Sequence, residues 1–137
     1  MHCLIVVDAW KQLKDYDLEK YPWLSDETTS FGKYLNTQLK QIDCDIFKYT
    51  KYDEELMDEI TVGKQVNEIP EGYDYYYFCG FHLGRCIPKL TQNIENSGCV
   101  LNLSLLFPED SFESKKQMDK YFYYSYAKGF EHISFVE

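Results

Sequence analysis

Residues 3–7 read CLIVV, an unbroken apolar run that stops at Asp8. A strand with one wet face alternates apolar and polar side chains, so a continuous run marks a strand buried on both faces. Such strands belong to parallel sheets with helices packed on each side. Four more stretches read as strands: residues 45–50 (DIFKYT), 73–79 (YDYYYFC), 99–107 (CVLNLSLLF) and 132–136 (HISFV). Helical patterns fall between them. Ser30 is placed to cap a helix through about Ile42, with Phe31, Leu35, Leu39 and Ile42 on one face. Asp53 is placed to cap a short helix that turns Leu56, Met57 and Ile60 inward. Pro88 suits the first turn of a helix carrying Ile87, Leu90 and Ile94 on one face and ending at Gly98. A last helix carries Phe112, Met118, Tyr121, Phe122 and Tyr126, and Gly129 closes it. Residues 11–29, polar and with Pro22, read as a loop with one helical turn. Residues 61–72, with Gly63, Pro70 and Gly72, read as another loop. Strands alternating with helices predict one α/β domain over residues 1–137. Its architecture is a three-layer sandwich around a mostly parallel, Rossmann-like sheet of five strands.

Charge narrows the partners. The formal net charge of −9 repels phosphate backbones, and no Lys/Arg cluster offsets it, so nucleic acid is not an expected partner. The cysteine count is odd (Cys3, Cys44, Cys79, Cys86, Cys99) and contains no CxxC pair. No signal-peptide pattern precedes these residues, and no apolar run approaches the ~20 residues of a membrane span. Reduced thiols in a cytoplasmic protein follow, with no membrane, no metal and no cofactor expected. Tyrosine is abundant at 13 while alanine occurs only at Ala9 and Ala127, a bias of AT-rich genomes, viral ones among them.

In open parallel sheets, ligands bind outside the carboxyl ends of the strands. Asp8, Lys48 and the stretch from Gly80 to Cys86 fall at or near such ends. The strand over residues 73–79 is expected to end at Gly80, with Phe81, His82, Leu83, Gly84 and Arg85 forming a loop and Cys86 opening a helix. A thiol at a helix N-terminus is biased toward its thiolate. Each residue also has a plainer reading. Cys86 suits a small buried side chain, Asp8 a carboxylate that binds loop N–H groups, and Lys48 a solvated lysine. Arg85 suits either an anionic substrate or a neighbouring carboxylate.

Taken together, these residues resemble the isochorismatase-like cysteine hydrolases, which include the nicotinamidases. That family opens with an apolar strand ending in a catalytic Asp, as Leu4, Ile5, Val6, Val7 and Asp8 do here. It places a Gly six residues before the nucleophilic Cys and an aliphatic residue after it, matched by Gly80, Cys86 and Ile87. A Gly before the next strand is matched by Gly98, and the catalytic Lys best by Lys48, with Lys51 and Lys64 as rivals. The resemblance implies a Cys86 nucleophile, Asp8 as proton carrier and Lys48 as the stabilising ammonium. It also implies an oxyanion site in the loop of Phe81, His82, Leu83, Gly84 and Arg85. The family's members are often oligomeric, and the aromatic last helix would supply a homo-oligomer interface. The chain departs from the pattern in three ways. It is short by about one strand–helix unit between Asp8 and Lys48. It has no Asp-x-His metal motif, its only histidines being His2, His82 and His132. Leu83 and Gly84 stand where polar residues are usual.

Three functions follow as expectations. The first is hydrolysis of an amide or related C–N bond of a small molecule through a Cys thiolate. The second is a degenerate member that binds a small metabolite or a protein partner. The third is a phosphate or nucleotide binder using a loop from Gly80 to Gly84, although neither a P-loop nor GxGxxG is present.

Overall fold

The computed structural model describes residues 1–11, 15–20, 22–51, 54–83, 90 and 93–106. Seven elements run in order: β1 (His2–Val7), α1 (Asp15–Lys20), α2 (Leu24–Leu39), β2 (Asp45–Tyr49), β3 (Lys64–Val66), β4 (Tyr75–Leu83) and β5 (Ser97–Leu106). The strands form one sheet in the order β3-β2-β1-β4-β5, and every strand pair is parallel. This is the α/β, Rossmann-like architecture expected from the continuous apolar runs. All of Cys3, Leu4, Ile5, Val6 and Val7 are fully buried, as a central strand covered on both faces requires.

Handedness accounts for the layering. Parallel crossovers are right-handed, so connections that progress toward opposite edges must cross opposite faces. From β1 to β2 to β3 the chain moves one way, and Leu35, Leu39, Met57 and Ile60 pack with Leu4 and Val6. From β3 to β4 to β5 it moves the other way, and Ile69, Tyr73, Leu90 and Ile94 pack against Ile5, Val7 and Phe78. The direction reverses between β1 and β4.

Helix α2 begins earlier than the sequence suggests. Ser30 is an exposed residue inside it, not its cap, and Trp23 holds the N-cap position, where its side chain makes no capping hydrogen bond to the helix. Asp26 and Glu27 in the first turn favour this start, since carboxylates there meet the positive end of the helix dipole. The buried stripe of Leu24, Thr28, Gly32, Leu35, Asn36 and Leu39 has helical spacing. Half of those residues are not apolar, which hides the stripe from a hydrophobicity pattern. The helix stops at Leu39, while Ile42 stays at the core beyond it.

Two further expectations are corrected. The segment carrying Leu56, Met57 and Ile60 is not helical. Leu56 forms an isolated antiparallel bridge with Trp10, and Met57 N–H donates to the Ala9 carbonyl at 2.8 Å. Met57 and Ile60 are buried all the same. Within the expected loop over residues 61–72, Lys64–Val66 forms the edge strand β3. The expected cap Asp53, the last helix and the strand at 132–136 lie outside the described residues.

Strand β4 also differs from expectation. It does not end at Gly80 but runs through Leu83, so Phe81, His82 and Leu83 belong to a strand and not to a loop. Gly80 pairs with both Val7 of β1 and Ser104 of β5; beyond the end of β1, β4 pairs with β5, Phe81 with Leu105 and Leu83 with Leu106. A phosphate-cradling loop from Gly80 to Gly84 is thereby excluded at its first half.

Candidate functional site

The reversal between β1 and β4 makes their carboxyl ends the natural crevice of this sheet. Asp8 stands at that point. Its backbone is left-handed (φ 51), its N–H donates to the Tyr49 carbonyl at 3.0 Å, and its own carbonyl accepts from Trp10 N–H at 2.7 Å. A non-glycine residue in this region is uncommon, and aspartate is among those that tolerate it best. The turn swings the chain off the sheet toward residues 54–57. There Lys11 N–H donates to the Glu55 carbonyl at 2.8 Å. Trp10 Nε1 donates to Thr50 Oγ1 at 3.0 Å, and Thr50 is fully buried past the end of β2. Trp10 and Thr50 thus close one wall beside Asp8. Neither stands out in the sequence, although a tryptophan just past an apolar strand is the signal that would have flagged the wall.

On the other side of Asp8, β4 overshoots β1. Val7 is level with Gly80, so Phe81, His82 and Leu83 project past the last residue of β1. Phe81 is buried and meets Phe31 of α2 edge to face, with ring centroids 5.7 Å apart. It supports the crevice from the core. His82 and Leu83 are placed here by their backbone, whereas Gly84, Arg85 and Cys86 lie outside the described residues.

Lys48 is level with Val6 on β2, short of the strand end where Asp8 sits. Its Nζ donates to the Ile60 carbonyl at 3.2 Å and so ties the β2–β3 connection to the sheet. Of the rival lysines, Lys51 is exposed past the end of β2, and Lys64 is exposed at the start of β3, level with Phe47. Among the described residues no group of three His, Cys, Asp or Glu is arranged to hold a metal, and no helix is long and apolar enough to cross a membrane.

Three of the thiols are held protonated. Burial pushes Cys3 from its ordinary value of 9.0 up to about 12, helped by Cys44 and Asp45. Burial likewise raises Cys44 to about 11, with Asp45 and Asp43 adding to it. Cys79 is raised well above 9.0, again chiefly by burial. In the unfolded chain these groups revert toward 9.0, so the folded state holds their protons more tightly. The associated stability is complete below pH 9 and drains away as pH rises through 11 to 12. Urea melts are expected to show lower stability at pH 10.5 than at pH 8, with a shallower fall in Cys44→Ala. Identical pH profiles for the two proteins would contradict this.

No family model, curated protein or solved structure matches this chain.

Proposed function

We propose that the chain is an isochorismatase-like cysteine hydrolase that cleaves an amide or related C–N bond of a small molecule in the crevice between β1 and β4. The observation carrying this reading is the topological reversal, with Asp8 at the end of β1 and β4 running past it toward Cys86. Cys86 follows Leu83, the last residue of β4, by three positions in the sequence. In the reaction, Asp8 takes the thiol proton and the thiolate adds to the carbonyl carbon. The C–N bond then breaks, and the amine leaves with that proton. Water hydrolyses the resulting thioester to free the acid and the thiol. Backbone N–H groups after Leu83 would stabilise the oxyanion. Lys48 is left out of these steps, because its ammonium already bonds the Ile60 carbonyl.

That same bond favours a second reading, in which the chain binds a small metabolite or a partner without turning it over. One experiment separates the two. Native protein is alkylated across a pH series, each cysteine is followed by peptide mass spectrometry, and a panel of small amides is assayed in parallel. Cys86 is expected to react at pH 7 at least about tenfold faster than Cys3, Cys44 and Cys79, since the thiolate is the reactive form. Amide turnover is expected to vanish in Cys86→Ala. A Cys86 no faster than the buried thiols, with no turnover, would leave the binding role.

A further inference from the structure

The two sides of the sheet end differently. Strand β3 closes one side in three residues, with Lys64 and Gln65 exposed. Short length and a lysine protect an edge, where unpaired N–H and C=O groups would otherwise invite another strand. Strand β5 has neither protection. It is ten residues long, and Ser97–Leu106 contains no charged residue and no proline. It is also buried on both faces. Cys99 belongs to the cluster of Ile5, Val7 and Phe78, and Val100 and Leu103 belong to that of Leu4, Val6 and Tyr77. Ser97, Cys99, Val100 and Leu103 are all fully buried. This burial and composition are those of an inner strand, yet among the described strands only β4 pairs with it.

The chain itself holds a segment that fits. Residues 132–136 read HISFV, with Ile133 and Phe135 at alternate positions and Glu131 and Glu137 at the flanks. Such a strand is short and bounded by charge, which suits an outermost position. Strand β5 ends at Leu106 on the carboxyl edge, and a parallel neighbour starts at the amino edge. That return takes a crossover of a dozen or more residues, and residues 107–131 supply more than enough. A helix between Asp110 and Gly129 would span about 27 Å at 1.5 Å per residue. Ten residues of β5 span roughly 33 Å, so the helix carries the chain back along most of that strand. A second copy of the chain would compete poorly, because a tethered segment acts at a far higher effective concentration.

We propose that the outer side of β5 is a docking edge for residues 132–136, which add to it as a sixth, parallel strand. Strand β5 also pairs with the overhang of β4 at Phe81 and Leu83, so the added strand braces one wall of the β1–β4 crevice from behind. The inference does not depend on the hydrolase reading.

The test is amide hydrogen exchange on the full chain, read residue by residue by NMR. Successive N–H groups of a strand point to opposite sides, so pairing on one side protects every second amide and pairing on both protects consecutive ones. Consecutive β5 amides are expected to be slowed at least about a hundredfold. Cross-strand NOEs between β5 and residues 132–136 are expected in the same sample. Ile133→Pro and Ser134→Pro are made as a pair, because their N–H groups point to opposite sides and proline removes the donor. At least one of the two is expected to speed exchange of the outward β5 amides about tenfold or more, while the amides bonded to β4 stay protected. Protection of alternate amides alone, without the NOEs, would overturn the proposal. So would outward protection that survives both proline variants, which places another segment on β5. Protection that rises with protein concentration would overturn it too, since it places a second copy there.

Discussion

Gly80→Ala is expected to destabilise the protein by about 3–5 kcal/mol, a large part of the ~5–15 kcal/mol that holds a domain together. Two costs combine. Gly80 has φ +103, a conformation that costs other residues of order 1–3 kcal/mol. A Cβ at this position would also stand 2.9 Å from the Val7 carbonyl oxygen and 3.0 Å from the Val7 nitrogen. Both atoms are backbone of the central strand and cannot yield without opening the β1–β4 ladder. Gly72→Ala is the control. Gly72 also has positive φ (+94), but its added Cβ would meet nothing within 4 Å. It should lose only the conformational part, about 1–3 kcal/mol. Urea unfolding of the three proteins checks the pair, and equal losses would show that the contact with Val7 is not the cause. Because Val7 leads directly into Asp8, any Gly80→Ala protein that folds is also expected to lose function.

Asn36→Ala is expected to cost about 2–4 kcal/mol. The Asn36 carboxamide oxygen accepts from Thr61 N–H at 3.0 Å and from Val62 N–H at 3.3 Å, and its Nδ2 donates to Thr61 Oγ1 at 3.3 Å. Truncation would strand two backbone donors, each at roughly 1–3 kcal/mol. Asn36→Leu separates bonding from packing, since leucine fills the volume but offers no acceptor. It should be nearly as damaging as alanine, and a stability restored by leucine would refute the assignment to hydrogen bonds. Lys48 acts on the adjacent residue through the Ile60 carbonyl, so the segment entering β3 is held from the helix and from the sheet at once. Lys48→Met, which keeps the length of the stem, is expected to cost about 1–2 kcal/mol.

These residues also show where the sequence could be read and where it could not. Strands β1 and β4 announce themselves, because burial on two faces leaves runs such as CLIVV with no polar interruption. Strand β3 is the triplet of exposed Lys64 and Gln65 with half-buried Val66, made a strand by its neighbour β2. Gly80 looks like a terminator because glycine often is one. Here its role is to let β1 and β4 approach, and that is a property of two segments far apart in sequence. Asp8 was legible as the end of an apolar run. Lys48 was not, because its bond to Ile60 depends on where a loop without periodicity comes to rest.

The position of β1 has a bearing on how the chain is made. Of the five described strands it leaves the ribosome before the others, yet it lies at the middle of the sheet, flanked by β2 and β4. At synthesis rates of ~5–20 residues per second, the end of β4 follows the end of β1 by about 4–15 s. For that interval one edge of the CLIVV run has no sheet neighbour. Early docking of α2 and β2 onto β1 would shield the run on one face and one edge. In that order of assembly the last edge of β1 to close is its seam with β4, where Val7 meets Gly80 and Asp8 follows.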